Sequence, residues 1–169
     1  ISNPQRSIIM ANYSTQFSFS FSVGNKAGEL IQQALTYFGE DEEDRDADVF
    51  SPEWESVFAA HNNEPENWAN EVSGETATGC KFEVVTKDAE TRVSVWAEEH
   101  GSVDLTAAII VTGLQLADDD AVVTFEYAFT CDKPVLGAFG GGACAMHKSG
   151  YLARGTCDLA AQLAKDVVN

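Results

Sequence analysis

The sequence predicts a mixed α+β fold. Three observations point there. Phe17, Phe19, Phe21 and Val23 alternate with Gln16, Ser18, Ser20 and Ser22, the period-2 pattern of a half-buried strand. Leu30, Ile31, Ala34, Leu35 and Phe38 recur at helical spacing, and a second helical stretch follows Ser102. Two strand-like runs at 80–87 and 91–97 are joined by the short turn 88–90, and the strongest strand pattern covers 121–130. In chain order these elements spell β-α-β-β-α-β, a ferredoxin-like plait, with an acidic helical insertion after the first helix and an added C-terminal hairpin and helix.

At 169 residues with 44% hydrophobic content, the chain suits one domain with a substantial core. Residues 1–12 are expected to be a disordered or added N-terminus, with Met10 a candidate natural initiator. Residues 13–169 form a single α+β domain in which 40–76 is the acidic insertion. No apolar run approaches the roughly 20 residues that span a bilayer. Four cysteines without a C-x-x-C pair, and without a secretory leader, predict reduced thiols in a cytoplasmic setting.

Each element has a local cause. Gly24 and Asn25 turn the first strand into a helix over 26–38, and Gly39 is its expected C-cap. Residues 40–48 hold seven acids in nine positions, which predicts a mobile or solvated loop. Ser51 and Pro52 start a helix whose buried side is Trp54, Val57 and Phe58, and 61–63 ends it. Residues 62–75 are polar, and Trp68 pins them to the body. Cys80, Phe82 and Val84 share one strand face. From Ser102, the N-cap and the alanines favour a helix with Leu105, Ala108, Ile109, Thr112 and Leu116 on one side, although the run 108–112 also fits a strand. Residues 118–120 turn the chain. Lys133 and Pro134 break the strong strand, 135–146 returns as a glycine-thinned strand, and 151–154 is a short edge. Thr156 caps a last helix whose Leu159, Leu163 and Val167 face the core.

The segment 127–151 gathers glycines, cysteines and a histidine, residue types that suit several chemistries. Cys144 and His147 form a C-x-x-H pair with Cys131 and Cys157 near, a potential zinc set of irregular spacing. On a strand, however, positions three apart face opposite sides. Cys131 or Cys144 with His147 would be a nucleophile and base if folding joined them. Gly140, Gly141 and Gly142 lack any complete phosphate-loop motif, with only Lys133, Lys148 and Arg154 nearby. They fit better a bulge or a close approach of backbone or an aromatic ring. His100 with Glu98, Glu99 and Asp104 is a further acid–base grouping, or simply an exposed turn. None of these completes a motif, so no cofactor and no catalytic residue is assigned, and the chain is read as non-enzymatic.

Residues 129–143, F-T-C-D-K-P-V-L-G-A-F-G-G-G-A, resemble a C-x-K-P-x-x-G-x-F-G-G-G-A segment of uncharacterised small proteins of bacteriophages and other mobile elements. The resemblance extends back through V-W-A-E-E-H-G-S, covering about residues 93–146, and transfers no functional residue. It implies a mobile-element setting in a host bacterial cell, where small acidic proteins block host defence.

Charge supplies the functional expectation. The net charge is −17, and residues 40–75 hold thirteen acids against the single base Arg45. Solubility alone does not need such clustering. The expected partner is a basic protein surface of a host nucleic-acid-binding complex, with no direct nucleic acid and no membrane. Glu40, Asp41, Glu42, Glu43, Asp44, Asp46 and Asp48 would stand in for phosphates as a DNA mimic of the anti-CRISPR or anti-restriction type. Trp54 and Trp68 would add apolar contact. Two other readings stay open: a small-molecule or zinc site at 131–151, with or without enzymatic activity, and a structural protein that oligomerises through the uncharged serine face of the first strand.

Overall fold

The structure is a computed structural model that describes residues 13–131 and 140–168. Among them are a six-stranded antiparallel sheet and five α-helices. Strand β1 (Tyr13–Gly24) leads into α1 (Asn25–Gly39). A helical insertion follows, with 3-10 turns at Glu42–Asp44, Ala47–Val49 and Ala59–His61 and the helices α2 (Pro52–Phe58) and α3 (Pro65–Ser73). Then come β2 (Lys81–Lys87), β3 (Glu90–Ala97), α4 (Val103–Ala117), β4 (Val123–Cys131), β5 (Gly140–His147), β6 (Gly150–Gly155) and α5 (Thr156–Val168). The spatial order is β2-β3-β1-β4-β5-β6, so β3 lies between β1 and β2.

The alternation in β1 decides the layers. Phe17 and Val23 are buried on the face that α1 and α4 cover, together with Val93, Val95, Val123, Phe125, Cys144 and Met146. Phe19 stacks on Phe125 at 4.4 Å between ring centroids, joining neighbouring strands. Ser18, Ser20 and Ser22 lie on the other face and are exposed. Helix α1 starts where the Gly24 N–H donates to the Asp119 carboxylate at 2.7 Å. The residues expected to face its core are all buried. It continues through Gly39, and its C-cap is Glu40 in an extended conformation rather than a left-handed glycine.

Helix α4 resolves the ambiguous apolar run. The Ser102 hydroxyl accepts from the Leu105 N–H at 3.2 Å, and every residue from 105 to 111 is buried. The sheet covers one side of α4 while α1 and α3 cover others, so its hydrophobicity runs nearly all round. Gly113 permits the α1–α4 approach, because a side chain there would overlap Ile31.

Three expectations change. Residues 62–75 are not merely a polar tether: Pro65 opens α3, and Trp68 and Ala69 bury its inner side. Leu159 and Leu163 of α5 do not face the core and are more than half exposed. The helix packs chiefly on β5 and β6, and among the described residues that stripe is uncovered. Residues 40–48 form two short turns rather than an irregular loop, with every acid exposed to solvent as expected. The expected break at Lys133 and Pro134, the return over 135–139, the Val167 side chain and the N-terminal segment 1–12 lie outside the described residues. No helix among the described residues is long and apolar enough to cross a membrane.

Candidate functional site

The insertion begins and ends at one place. The Thr78 N–H donates to the Phe38 carbonyl at 2.8 Å, closing the segment back onto the end of α1. Within it, the Asp44 N–H donates to the Asp41 carbonyl at 2.9 Å, and the Asp48 N–H donates to the Asp46 carboxylate at 2.9 Å. These local bonds fold the acidic run into two consecutive turns. Glu40, Asp41, Glu42, Glu43, Asp44, Asp46 and Asp48 are all exposed.

Arg45 points the other way. Its side chain is only 5% exposed and lies 3.4 Å from the Glu66 carboxylate. The guanidinium sits over the Tyr37 ring at 5.6 Å and also donates to the Glu40 carbonyl at 3.4 Å. The Tyr37 hydroxyl donates to the same Glu66 oxygen at 2.5 Å. Burial first, and then that carboxylate, push the Tyr37 pKa well above the ordinary phenol value, so the ring stays a neutral donor. The one base in the run is therefore spent inward as a pin, and nothing within residues 40–48 neutralises the outward carboxylates.

Trp54 and Trp68, expected to add apolar contact to a partner, are instead turned into the protein. Trp54 has no exposed surface, Trp68 is 3% exposed, and the two rings meet edge to face at 5.4 Å. With Tyr37, Phe38, Phe50 and Phe58 they form an aromatic cluster that seats the insertion on α1. The Trp54 indole N–H donates to the Leu30 carbonyl at 2.9 Å, which satisfies its only polar atom. A Lys26–Glu53 pair at 2.8 Å ties α2 to α1 from the outside, and its hydrogen bond holds the Glu53 carboxyl at about 2.

The described residues of the segment 127–151 do not bring the suggested groups together. Cys144 is buried on the helix-covered face of β5, whereas His147 lies three residues on, against Asp120 at 3.7 Å and Ser149 at 2.9 Å. Burial, reinforced by Asp104, pushes the Cys144 thiol up to about 11, which keeps it protonated and a poor nucleophile. Cys157 is exposed at the start of α5, and Cys131 ends β4. Among the described residues, no group of three or more His, Cys, Asp or Glu is placed to hold a metal ion.

The glycines have a packing role. Gly142 lies opposite Tyr127 in the β4–β5 ladder, and a side chain on it would overlap the Tyr127 ring and the Arg154 carbonyl. Of the bases considered for phosphate, Lys148 is held by Asp118 and Asp120 at 2.6 and 2.8 Å. Arg154 is exposed beside a shallow pocket with Gly140 and Thr156, and Lys133 lies outside the described residues. Glu98 reaches Lys81 at 3.8 Å, and Asp104 takes the Tyr151 hydroxyl at 3.2 Å, so these carboxylates are engaged elsewhere than at exposed His100.

Sequence reasoning missed Arg45 as a structural pin. The only local signal was a lone base among seven acids eight residues after a tyrosine. Compared with known protein families, curated proteins and solved structures, the chain matches none.

Proposed function

We propose that this chain is a non-enzymatic acidic binding protein whose residues 40–48 occupy a basic, nucleic-acid-binding surface on another protein. In this reading it belongs to a bacteriophage or mobile element. It acts in the host cytoplasm as a nucleic-acid mimic of the anti-restriction or anti-CRISPR type, with no membrane and no nucleic acid as direct partner. The scaffold is a ferredoxin-like plait. Support comes from the strand order β2-β3-β1-β4 with α1 and α4 on one face, and β5, β6 and α5 are additions to it.

The observation that carries the functional reading is the orientation of charge. Seven carboxylates face outward from two ordered turns, while Arg45 is turned in and neutralised by Glu66. A backbone already folded into turns loses little conformational entropy when a basic groove closes on it, and the carboxylates steer its approach over about a Debye length. Trp54 and Trp68 play no part at the contact. Replacing Asp41, Glu42, Glu43 and Asp44 together by lysine tests the reading. All four are exposed, and none of their side chains caps a turn. The reversed chain should keep its circular dichroism spectrum and its unfolding midpoint while losing salt-sensitive capture of basic proteins from a bacterial lysate. Undiminished capture by the reversed chain would rule the reading out.

A further inference from the structure

We propose that the uncovered face of the sheet is a self-association surface, on which a second copy of this chain docks face to face as a weak two-fold dimer. The proposal is independent of the acidic segment. Helix α1 and helix α4 lie on the other face, and α5 packs chiefly on β5 and β6. The face formed by β2, β3, β1 and β4 therefore has no helix over it among the described residues.

Three features fit a second copy. The first is charge. Within these strands the face carries Lys81, Lys87 and Arg92 against Glu83, Glu90 and Glu126, a net of zero in a chain of −17. Two copies meeting through the insertion would repel strongly, whereas here they approach without that penalty. A highly basic partner, for its part, gains nothing on this face. A two-fold axis parallel to β1 sets the β3 side of one copy over the β4 side of the other.

The second feature is shape. The central row is Ser18, Ser20 and Ser22, with the Ser20 and Ser94 hydroxyls bonded at 2.8 Å, so short side chains leave a flat strip on which sheets can close. Trp96, the one tryptophan outside the aromatic cluster of the insertion, is half-buried on this face, and Val85 is 53% exposed there. An amphipathic aromatic beside a small-residue strip is a suitable interface anchor.

The third is area. Four strands about 4.8 Å apart and about eight residues long cover roughly 500 Å² per copy, or about 1,000 Å² for a pair, which is the threshold of a specific interface. A weak, concentration-dependent dimer follows.

Sedimentation equilibrium on the whole chain, over a micromolar-to-millimolar series at low and high salt, tests this. The expected result is a monomer–dimer equilibrium that strengthens with salt, because the repulsion between the two acidic bodies is screened. Ser20→Glu places like charges face to face at the axis and should weaken the dimer at least about tenfold. Ser20→Thr should leave it intact, and both variants should keep the circular dichroism spectrum. A chain that stays monomeric at high salt overturns the proposal. A dimer indifferent to Ser20→Glu overturns it by placing the contact elsewhere.

Discussion

Replacing Arg45 by methionine tests the pin that orders the acidic turns. Methionine keeps most of the side-chain volume and removes the charge. At the observed 3.4 Å from Glu66, a Coulomb term of about 5 kcal/mol results at an effective dielectric of about 20. Desolvation of the guanidinium offsets most of that, and Glu66 is 32% exposed, which leaves roughly 1–2 kcal/mol for the pair. The contact over Tyr37 adds about 1 kcal/mol. The expected loss is therefore about 2–3 kcal/mol, or a fall of roughly 4–12 °C in Tm for a domain of this size. Urea unfolding measures the free energy, and a double-mutant cycle with Glu66→Gln should show coupling of about 1–2 kcal/mol. Amide exchange at residues 40–48 should quicken in the variant at the same time. A loss below about 0.5 kcal/mol with unchanged exchange would refute the reasoning, since the turns would then hold without Arg45.

Other sites give sharper contrasts. Trp54→Ala removes a ring with no exposed surface and should cost about 3–5 kcal/mol by denaturant unfolding. Gly113→Ala should destabilise by about 1–3 kcal/mol despite alanine's better helix propensity, because the added methyl overlaps buried Ile31. Cys144 should resist alkylation near pH 9 while exposed Cys157 reacts, as read by mass spectrometry of the labelled chain. The folded thiol titrates higher than the unfolded one. Its stabilising contribution is therefore fully present below the ordinary thiol value and is lost as pH rises toward about 11; Cys144→Ala should flatten that alkaline decline.

Much of the fold was legible because local pattern and global burial agree. The alternation in β1 and the stripe of α1 each face one partner layer, so period alone identifies them. Helix α4 was ambiguous for a physical reason: neighbours surround it, and burial on all sides erases the period. Helix α3 was missed because polar residues outnumber its inner contacts, although Pro65, Trp68, Ala69 and Val72 lie at helical spacing.

The inward side of Trp54 and the anchoring by Trp68 were legible from spacing, whereas their full burial was not. It depends on Tyr37, Phe38, Phe50 and Phe58 converging from two helices and a turn, a tertiary fact that spacing does not carry. The inward turn of Arg45 is of the same kind, since it needs Tyr37 and Glu66 to arrive together. Separation of Cys144 from His147, by contrast, follows from strand parity alone. The amphipathic stripe of α5 suggested a core contact, but no layer among the described residues lies over Leu159 and Leu163.

The central claim is that an ordered row of carboxylates takes the place of phosphates on a basic protein surface. Competition tests it most directly. Proteins captured from a bacterial lysate by the immobilised chain are challenged with duplex DNA at fixed salt. The account predicts that DNA releases the captured protein, and that the chain with Asp41, Glu42, Glu43 and Asp44 reversed to lysine never captures it. Capture that DNA cannot displace, or that survives the reversal, would contradict it.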